Sequence, residues 1–166
     1  MNLIHKYVYK NREIKPDMSL TRLTDVTHFD IKRLGARVAA IDLDNTSVLY
    51  GSYKVSPEAM QWVENMKRNG IDVVVITNTV FFRGHYISKQ LGASCCYAFS
   101  IKPLTFAIKK CAKKLGVDIS QIVMIGDTLT TDILSANASG AKSIKVEPLA
   151  QLLKAERIIS LINNAK

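Results

Sequence analysis

The stretch VAAIDLDNT, residues 38–46, decides the fold class of this chain. Four apolar residues are followed at once by two aspartates on either side of Leu43, and then by an asparagine and a threonine. A continuous apolar run is typical of a strand buried on both faces of a parallel sheet, and polar residues at the carboxyl ends of such strands form binding and catalytic sites. Asp42 and Asp44 are two residues apart, so we expect them to face the same side of an extended strand.

The same pattern recurs along the chain. Further apolar strand candidates are IDVVVITN (71–78), SCCYAFS (94–100), QIVMIGD (121–127) and AKSIKVEP (141–148). Amphipathic stretches that predict helices lie at 56–70, 82–91, 103–116, 130–140 and 149–162. Alternating strands and helices indicate a parallel sheet covered by helices on both faces. We therefore expect an α/β fold: a three-layer α/β/α sandwich with a mostly parallel, five-stranded Rossmann-like sheet.

The length of 166 residues suits one domain. We expect a catalytic core at 37–148 and a C-terminal helix at 149–166, whose apolar residues pack on the sheet or, as the alternative, insert into a membrane interface. Residues 1–36 do not alternate. We expect them to form an extension of one or two short helices, with Ser19 and Asp30 as candidate helix caps.

The composition indicates a folded protein with an anionic partner. Hydrophobic residues make up 48%, which argues against disorder, and 23 Lys and Arg against 14 Asp and Glu give a net charge of +9. Such a surface suits acidic lipids, phosphorylated substrates or nucleic acid. No apolar run approaches the ~20 residues of a membrane span, and the start lacks the features of a secretory signal. We expect a cytoplasmic protein, with peripheral contact at the inner membrane face left open.

Polar side chains follow the other predicted strands as well. Thr77 and Asn78 end the second strand, Lys102 follows the third, and Asp127 ends the fourth. The carboxyl ends of parallel strands meet at one edge, so we expect these groups to converge with Asp42. Carboxylates packed together must take up a proton or share a cation. An all-oxygen set favours Mg²⁺, and a cation with one Lys and one Thr suits a phosphoryl group.

In order and spacing these residues resemble the four motifs of the haloacid dehalogenase-like hydrolases, over about residues 36–148. The subfamily that the chain resembles most is the YqeG family of small, capless subclass IIIA phosphatases, which are related to phosphatidylglycerophosphate phosphatase. Thr128 stands where that family often has Gln. The superfamily motifs are matched by Asp42-Leu43-Asp44-Asn45-Thr46, Thr77, Lys102 and Gly126-Asp127 through Asp132, and the subfamily strings by IDLDNT (41–46), Lys102-Pro103 and GDTLTTDILSANASG (126–140).

This resemblance implies a Mg²⁺-dependent phosphomonoester hydrolase that works through an aspartyl-phosphate. Asp42 would be the nucleophile. Asp44 would protonate the leaving oxygen and then activate water, while Thr77 and Lys102 hold the phosphoryl oxygens. The resemblance places the metal on Asp42, Asp127 and the backbone carbonyl of Asp44, with Asp132, Thr46 and Asn78 supporting these groups from behind.

The spacing of the motifs leaves no room for an inserted cap domain. Only 30 residues separate Thr46 from Thr77, and 24 separate Thr77 from Lys102. We therefore expect an open site, which suits a phosphate carried by something large. By resemblance, the first substrate to consider is phosphatidylglycerophosphate, an anionic phospholipid that would be converted to phosphatidylglycerol.

Two other functions stay open: a phosphatase of the same superfamily acting on a soluble nucleotide, a sugar phosphate or a nucleic-acid end, and a non-catalytic basic module that binds RNA or ribosomes. The second is disfavoured because no RNA-binding motif is present. A cysteine phosphatase is excluded because no Arg stands six residues after any cysteine, and P-loop and GxGxxG motifs are absent. Phospho-receiver domains also combine Asp, Thr and Lys-Pro, but in them the lysine follows all the aspartates. Here Asp127 follows Lys102, so the order of motifs argues against such a domain.

Overall fold

The computed structural model describes residues 14–164, apart from the side chains at 161, 162 and 164. Within this range the strands are β1 (Met18–Ser19), β2 (Val38–Ile41), β3 (Asp72–Ile76), β4 (Cys95–Tyr97), β5 (Ile122–Gly126) and β6 (Lys142–Lys145). They form one sheet in the order β1-β6-β5-β2-β3-β4, and every neighbouring pair is parallel. All carboxyl ends therefore meet at one edge, which we call the carboxyl edge.

Helices cover both faces of the sheet. They are α1 (His28–Arg33), α2 (Pro57–Arg68), α3 (Phe81–Leu91), α4 (Phe106–Leu115), α5 (Leu134–Ser139) and α6 (Leu149–Asn164), with 3₁₀ turns at Leu23–Asp25 and Ile119–Gln121 and a π turn at Leu129–Ile133. Alternate residues of β2 point to opposite faces: Ala39 and Ile41 pack with α1, α2 and α3, whereas Val38 and Ala40 pack with α4 and α5. The three-layer α/β/α sandwich is thus confirmed.

The sheet has six strands, so the expected number of five is wrong. The sixth strand, β1, lies in the segment that we expected to be helical, and Ser19 is part of it instead of capping a helix. Leu20 N donates to Lys145 O (2.9 Å), and Asp17 Oδ2 accepts from Ser143 N (2.8 Å). A strand of two residues is too short to show periodicity, and its pairing with β6 depends on contacts more than 120 residues away in sequence.

The expected short helix in this segment is present as α1, but Asp30 is not its N-cap. Thr27 is the N-cap, and its hydroxyl accepts from Asp30 N (3.2 Å) while Asp30 Oδ2 accepts from Thr27 N (2.9 Å). This reciprocal pair is a capping box. The part of the extension at 1–13 lies outside the described residues.

The helix expected from residue 103 starts later, at Phe106. Pro103 lies in the preceding turn and is joined to Lys102 by a cis peptide bond. The backbone of this turn is bonded to the loop after β3, because Lys102 N donates to Asn78 Oδ1 (2.6 Å). That bond holds the turn outside the helix and leaves Lys102 at the carboxyl edge.

Contrary to our expectation, most of the described side chains of the C-terminal helix α6 are exposed and do not pack on the sheet. Its first residue is anchored by Leu149 N, which donates to Asn45 O (2.7 Å), but every described side chain from Leu153 onward is exposed. At 100° per residue, Leu153 and Ile158 lie about 140° apart around the axis, so the apolar residues do not form one stripe that a single surface could cover. No helix in residues 14–164 is long and apolar enough to span a bilayer.

The absence of a cap domain is confirmed for the described chain. Between Thr46 and Thr77 it forms a loop, α2 and β3, and between Thr77 and Lys102 it forms α3, β4 and their connections. The carboxyl edge is therefore not covered by any inserted domain within these residues.

Candidate active site

Lys102 joins two carboxylates at the carboxyl edge. Its side chain is 2% exposed, and Nζ donates to Asp42 Oδ1 (2.7 Å), Asp132 Oδ1 (2.6 Å) and the backbone oxygen of Ile76 (2.8 Å). Burial by itself lowers the pKa of Lys102, but the charges of Asp42 and Asp132 outweigh it and raise the pKa above its ordinary value. Lys102 is therefore a buried ammonium ion that fixes one oxygen of each carboxylate.

Asp127 completes a cluster of three carboxylates with Asp42 and Asp132. One ligand oxygen from each lies within 4.8 Å of the others. Asp127 is half-buried, and burial together with the charge of Asp42 raises its pKa above the usual range. Its Oδ1 accepts from the hydroxyls of Thr46 (3.4 Å) and Thr128 (3.3 Å). These two threonines orient Asp127 toward the cluster.

Asp132 is buried behind the other two carboxylates. Lys102 Nζ occupies its Oδ1, and Thr128 N donates to its Oδ2 (3.1 Å). Burial raises the pKa of Asp132, and the ammonium of Lys102 opposes that shift. Since both oxygens have partners, Asp132 supports the site and leaves Asp42 and Asp127 as the carboxylates free to hold a cation.

The cluster fits Mg²⁺. Its donors are all carboxylate oxygens, which is the chemistry that hard divalent cations prefer. The pKa of Asp127 is raised partly by the negative charge of Asp42, so a cation between the two would relieve a repulsion that the protein alone leaves in place.

Local backbone geometry explains why these residue types stand where they do. Asn45 adopts the left-handed conformation (φ 59°), which asparagine tolerates well. The chain then turns so tightly that the backbone N–H groups of Thr46 and Ser47 both donate to Leu43 O. On β5, a Cβ at Gly126 would collide with the Asp132 carboxylate, so only glycine lets Asp132 approach.

Asp44 lies outside the carboxylate cluster and forms a two-point ion pair with Arg83. Arg83 Nη1 donates to Asp44 Oδ2 (2.8 Å) and Nη2 to Oδ1 (2.7 Å), while Gly51 N also donates to Oδ1 (2.9 Å). The expectation that Asp42 and Asp44 face the same side does not hold, because β2 ends at Ile41 and Asp44 follows in the turn.

Arg83 is the residue of this region that sequence reasoning missed. It is 5% exposed, and it also donates to Ser52 O and Thr79 Oγ1. The signal was present: Arg83 is four and eight residues before Ile87 and Leu91, on the buried face of α3. An arginine in that position requires a buried partner, and Asp44 is that partner.

Thr77 and Asn78 lie at the end of β3, as the sequence predicts. Thr77 is buried, its hydroxyl accepts from Thr79 N (3.3 Å), and the Ile76 carbonyl beside it binds Lys102. Asn78 Nδ2 donates to Lys102 O (3.1 Å), which pairs with the bond from Lys102 N described above. Asn78 thus holds the lysine-bearing turn at the site.

Comparisons with known proteins identify relatives of this chain. Residues 7–140 match the family of haloacid dehalogenase-like hydrolases. A probable phosphatase, YqeG of Bacillus subtilis, is 30% identical over 135 residues, which is 81% of this chain and 78% of that protein. Phosphatidylglycerophosphate phosphatase 1 of Arabidopsis thaliana is 26% identical over 153 residues, 87% of this chain but only 44% of the relative.

A solved structure shares the fold. The 3-deoxy-D-manno-octulosonate 8-phosphate phosphatase of Moraxella catarrhalis, determined in complex with a magnesium ion, a phosphate ion and a sugar-acid molecule, superposes with a TM-score of 0.52 at 18% identity, covering 82% of this chain and 98% of that chain. At this identity the likeness concerns the arrangement of strands and helices alone.

Proposed function

The chain belongs to the haloacid dehalogenase-like hydrolases and is a phosphatase, and we propose that it hydrolyses phosphomonoesters with Mg²⁺ through an aspartyl-phosphate on Asp42. The observation that carries the proposal is the fixed Asp42 carboxylate: Lys102 Nζ holds one of its oxygens at 2.7 Å, and Asp127 lies within 4.8 Å. A carboxylate oriented in this way at an open edge is suited to attack phosphorus.

In the proposed first step, a carboxylate oxygen of Asp42 attacks phosphorus and the bond from phosphorus to the leaving oxygen breaks. For this step Asp44 leaves its ion pair with Arg83 and takes up a proton from solvent, which it then gives to the leaving oxygen, so the product leaves as an alcohol. In the second step, water attacks phosphorus, Asp44 takes the proton of that water, and the bond between phosphorus and Asp42 breaks. Inorganic phosphate is released and the Asp42 carboxylate is regenerated.

Thr77 and Lys102 are the proposed partners of the phosphoryl oxygens, because Thr77 directly follows β3 and Lys102 Nζ binds both Asp42 and the Ile76 carbonyl at the end of that strand. Asp42, Asp127 and, by resemblance, the backbone carbonyl of Asp44 are the proposed holders of Mg²⁺. When bound there, the ion would supply positive charge against the phosphoryl oxygens. Asp132, Thr46 and Asn78 keep Lys102 and Asp127 in place.

The proposed substrate is phosphatidylglycerophosphate. This proposal is supported by the similarity to YqeG and to the Arabidopsis relative, by the uncovered carboxyl edge, and by the net charge of +9, which attracts an anionic lipid. A soluble phosphate ester, such as a sugar phosphate, is the alternative that the same site chemistry allows.

Hydrolysis of p-nitrophenyl phosphate tests the nucleophile. We expect turnover with Mg²⁺, loss of turnover in EDTA, and a loss of at least about a thousandfold in Asp42→Asn, because an amide oxygen does not form the acyl phosphate. Asp72→Asn is the matched control: Asp72 is an exposed aspartate at the opposite end of the neighbouring strand β3, and its loss should change nothing. Equal rates in Asp42→Asn and the native protein would refute the assignment.

A substrate panel tests the lipid proposal. Phosphatidylglycerophosphate in vesicles is compared with soluble sugar and nucleotide monophosphates by phosphate release. A kcat/KM for the lipid at least about tenfold above the soluble esters supports the proposal, and the reverse ranking contradicts it and favours the soluble substrate.

A further inference from the structure

One long segment of the chain carries basic residues but no acidic ones. Residues 73–117, from β3 through α4, contain no Asp or Glu. Seven of the chain's basic residues lie in this segment, while the whole protein has a net charge of +9. They are Arg83, Lys89, Lys102, Lys109, Lys110, Lys113 and Lys114.

Five of these seven cations are exposed. Arg83 and Lys102 are buried against carboxylates, but Lys89 and the four lysines of α4 are exposed, and none of the five forms an ion pair with any other described residue. On α4 the four exposed lysines stand three, four, seven and eight positions after Phe106, so they lie on one face of the helix. This lysine stripe consists of Lys109, Lys110, Lys113 and Lys114.

The same segment displays six apolar side chains at the carboxyl edge, which we call the apolar tip. Phe82 is 85% exposed, Phe99 64% and Ile101 45%. The loop after β3, which leads into Phe82 on α3, lies beside the loop that carries Phe99 and Ile101, because Phe99 N donates to Thr79 O (2.9 Å). The apolar tip comprises Val80, Phe81, Phe82, Phe99, Ile101 and Leu104, all more than a third exposed.

The backbone is strained to hold two of these residues outward. Phe99 and Ile101 both have φ 51°, a left-handed conformation that is unfavourable for bulky and β-branched residues. Ser100 between them and Lys102 after them are buried. The chain therefore alternates, and the turn that directs Lys102 into the site leaves Ile101 exposed beside it.

We propose that the apolar tip and the lysine stripe form a docking face for an anionic lipid bilayer, with the tip inserted among the headgroups and the lysines above them. This inference rests on the proposed function, since docking would bring the Asp42–Lys102 site to a phosphorylated headgroup. Lys109 N donates to the backbone oxygen of Thr105 (3.1 Å), which directly follows the tip residue Leu104, so the first lysines of the stripe are within a Debye length of the membrane charge when the tip is inserted.

The chemistry of the tip favours lipid over single-stranded RNA. RNA-binding surfaces stack bases on aromatic rings, but Val80, Ile101 and Leu104 have no ring. Insertion into the boundary between headgroups and acyl chains rewards any apolar side chain. An anionic surface also complements a segment that contains no acidic residue.

Flotation with phosphatidylcholine vesicles, with and without phosphatidylglycerol, tests the proposal on the full chain. The native protein should bind only the anionic vesicles. Phe82→Ser with Phe99→Ser should weaken binding at least about tenfold, and Lys109→Gln with Lys110→Gln about fivefold for each lysine. The matched controls lie on α1: Phe29→Ser, at a phenylalanine that is 71% exposed, and Lys32→Gln should bind like the native protein.

Turnover of p-nitrophenyl phosphate without vesicles separates this inference from the proposed function. The docking variants should keep native turnover, because none of the substituted residues lies in the catalytic site. Native turnover without vesicle binding overturns the docking face and leaves the phosphatase intact. Loss of binding in the α1 variants as large as in the docking variants also overturns it, as does binding of single-stranded RNA, but not vesicles, through the same residues.

Discussion

Replacing Asp127 by asparagine tests whether the carboxylate cluster is a cation site, through stability and not activity. The ligand oxygens of Asp42 and Asp127 lie within 4.8 Å of each other, and two unit charges at that upper limit repel by ~1 kcal/mol in water and ~3 kcal/mol at an effective dielectric constant of 20. Asp127 is half-buried, and Lys102 offsets much of the charge of Asp42, so the lower figure applies. Asparagine keeps an oxygen to accept from Thr46 and Thr128.

In EDTA we therefore expect Asp127→Asn to be about 1 kcal/mol more stable than the native protein, which is a Tm higher by about 2–4 °C for a chain of this size. Mg²⁺ should then reverse the order. At ten times its Kd, the ion stabilises the native protein by about 1.4 kcal/mol, and it should leave the variant unchanged.

Thermal unfolding followed by circular dichroism, with EDTA or with a Mg²⁺ titration, measures both effects. Glu64→Gln is the control, since Glu64 forms an exposed ion pair with Arg68 on α2 and such pairs contribute little. A variant that is less stable than the native protein in EDTA and still gains stability from Mg²⁺ would refute the view that Asp42 and Asp127 share a cation.

Two further predictions follow from buried groups. Arg83→Lys keeps the charge beside Asp44 but loses the two-point geometry. If Arg83 positions Asp44 as a proton donor, kcat/KM should fall about a hundredfold for an alkyl phosphate and far less for p-nitrophenyl phosphate, whose leaving group needs no proton; equal losses would assign Arg83 a purely structural role. Burial raises the pKa of the Cys111 thiol to about 12. Because the thiolate is the reactive form, Cys111 should resist a disulfide reagent at pH 8 until the protein is unfolded, and rapid labelling of folded Cys111, located by peptide mapping, would contradict this.

The sequence predicted the parts of the fold and site that depend on local pattern. The continuous apolar runs of β2, β3 and β5 predicted strands buried on both faces, as the structure has them. The helical spacing of apolar residues predicted α2, where Ser56 caps the helix and Pro57 begins it. Local pattern also explains the two main errors. A strand of two residues has no periodicity to detect, and α6 has apolar residues on several sides, which indicates a helix without indicating what covers it.

Convergence of the site residues followed from topology, since parallel strands bring their carboxyl ends to one edge. This argument predicted that Asp42, Lys102 and Asp127 meet, and they do. It was insufficient for Asp44, because Asp44 lies three residues past the end of β2, where the alternation of side chains no longer applies, and the turn at Asn45 directs the carboxylate elsewhere.

By itself the amino-acid sequence determined the order of strands and helices from β2 onward, the residue types at the carboxyl edge and the basic character of residues 73–117. Only the tertiary structure decided that Lys102 lies between Asp42 and Asp132, that Arg83 binds Asp44, and that Phe99 and Ile101 are exposed on a strained loop. The physical reason is range. Backbone preference and hydrophobic period act over a few residues, whereas each of these side-chain contacts joins groups 30 to 60 residues apart, and the direction of a loop side chain depends on hydrogen bonds made to other loops.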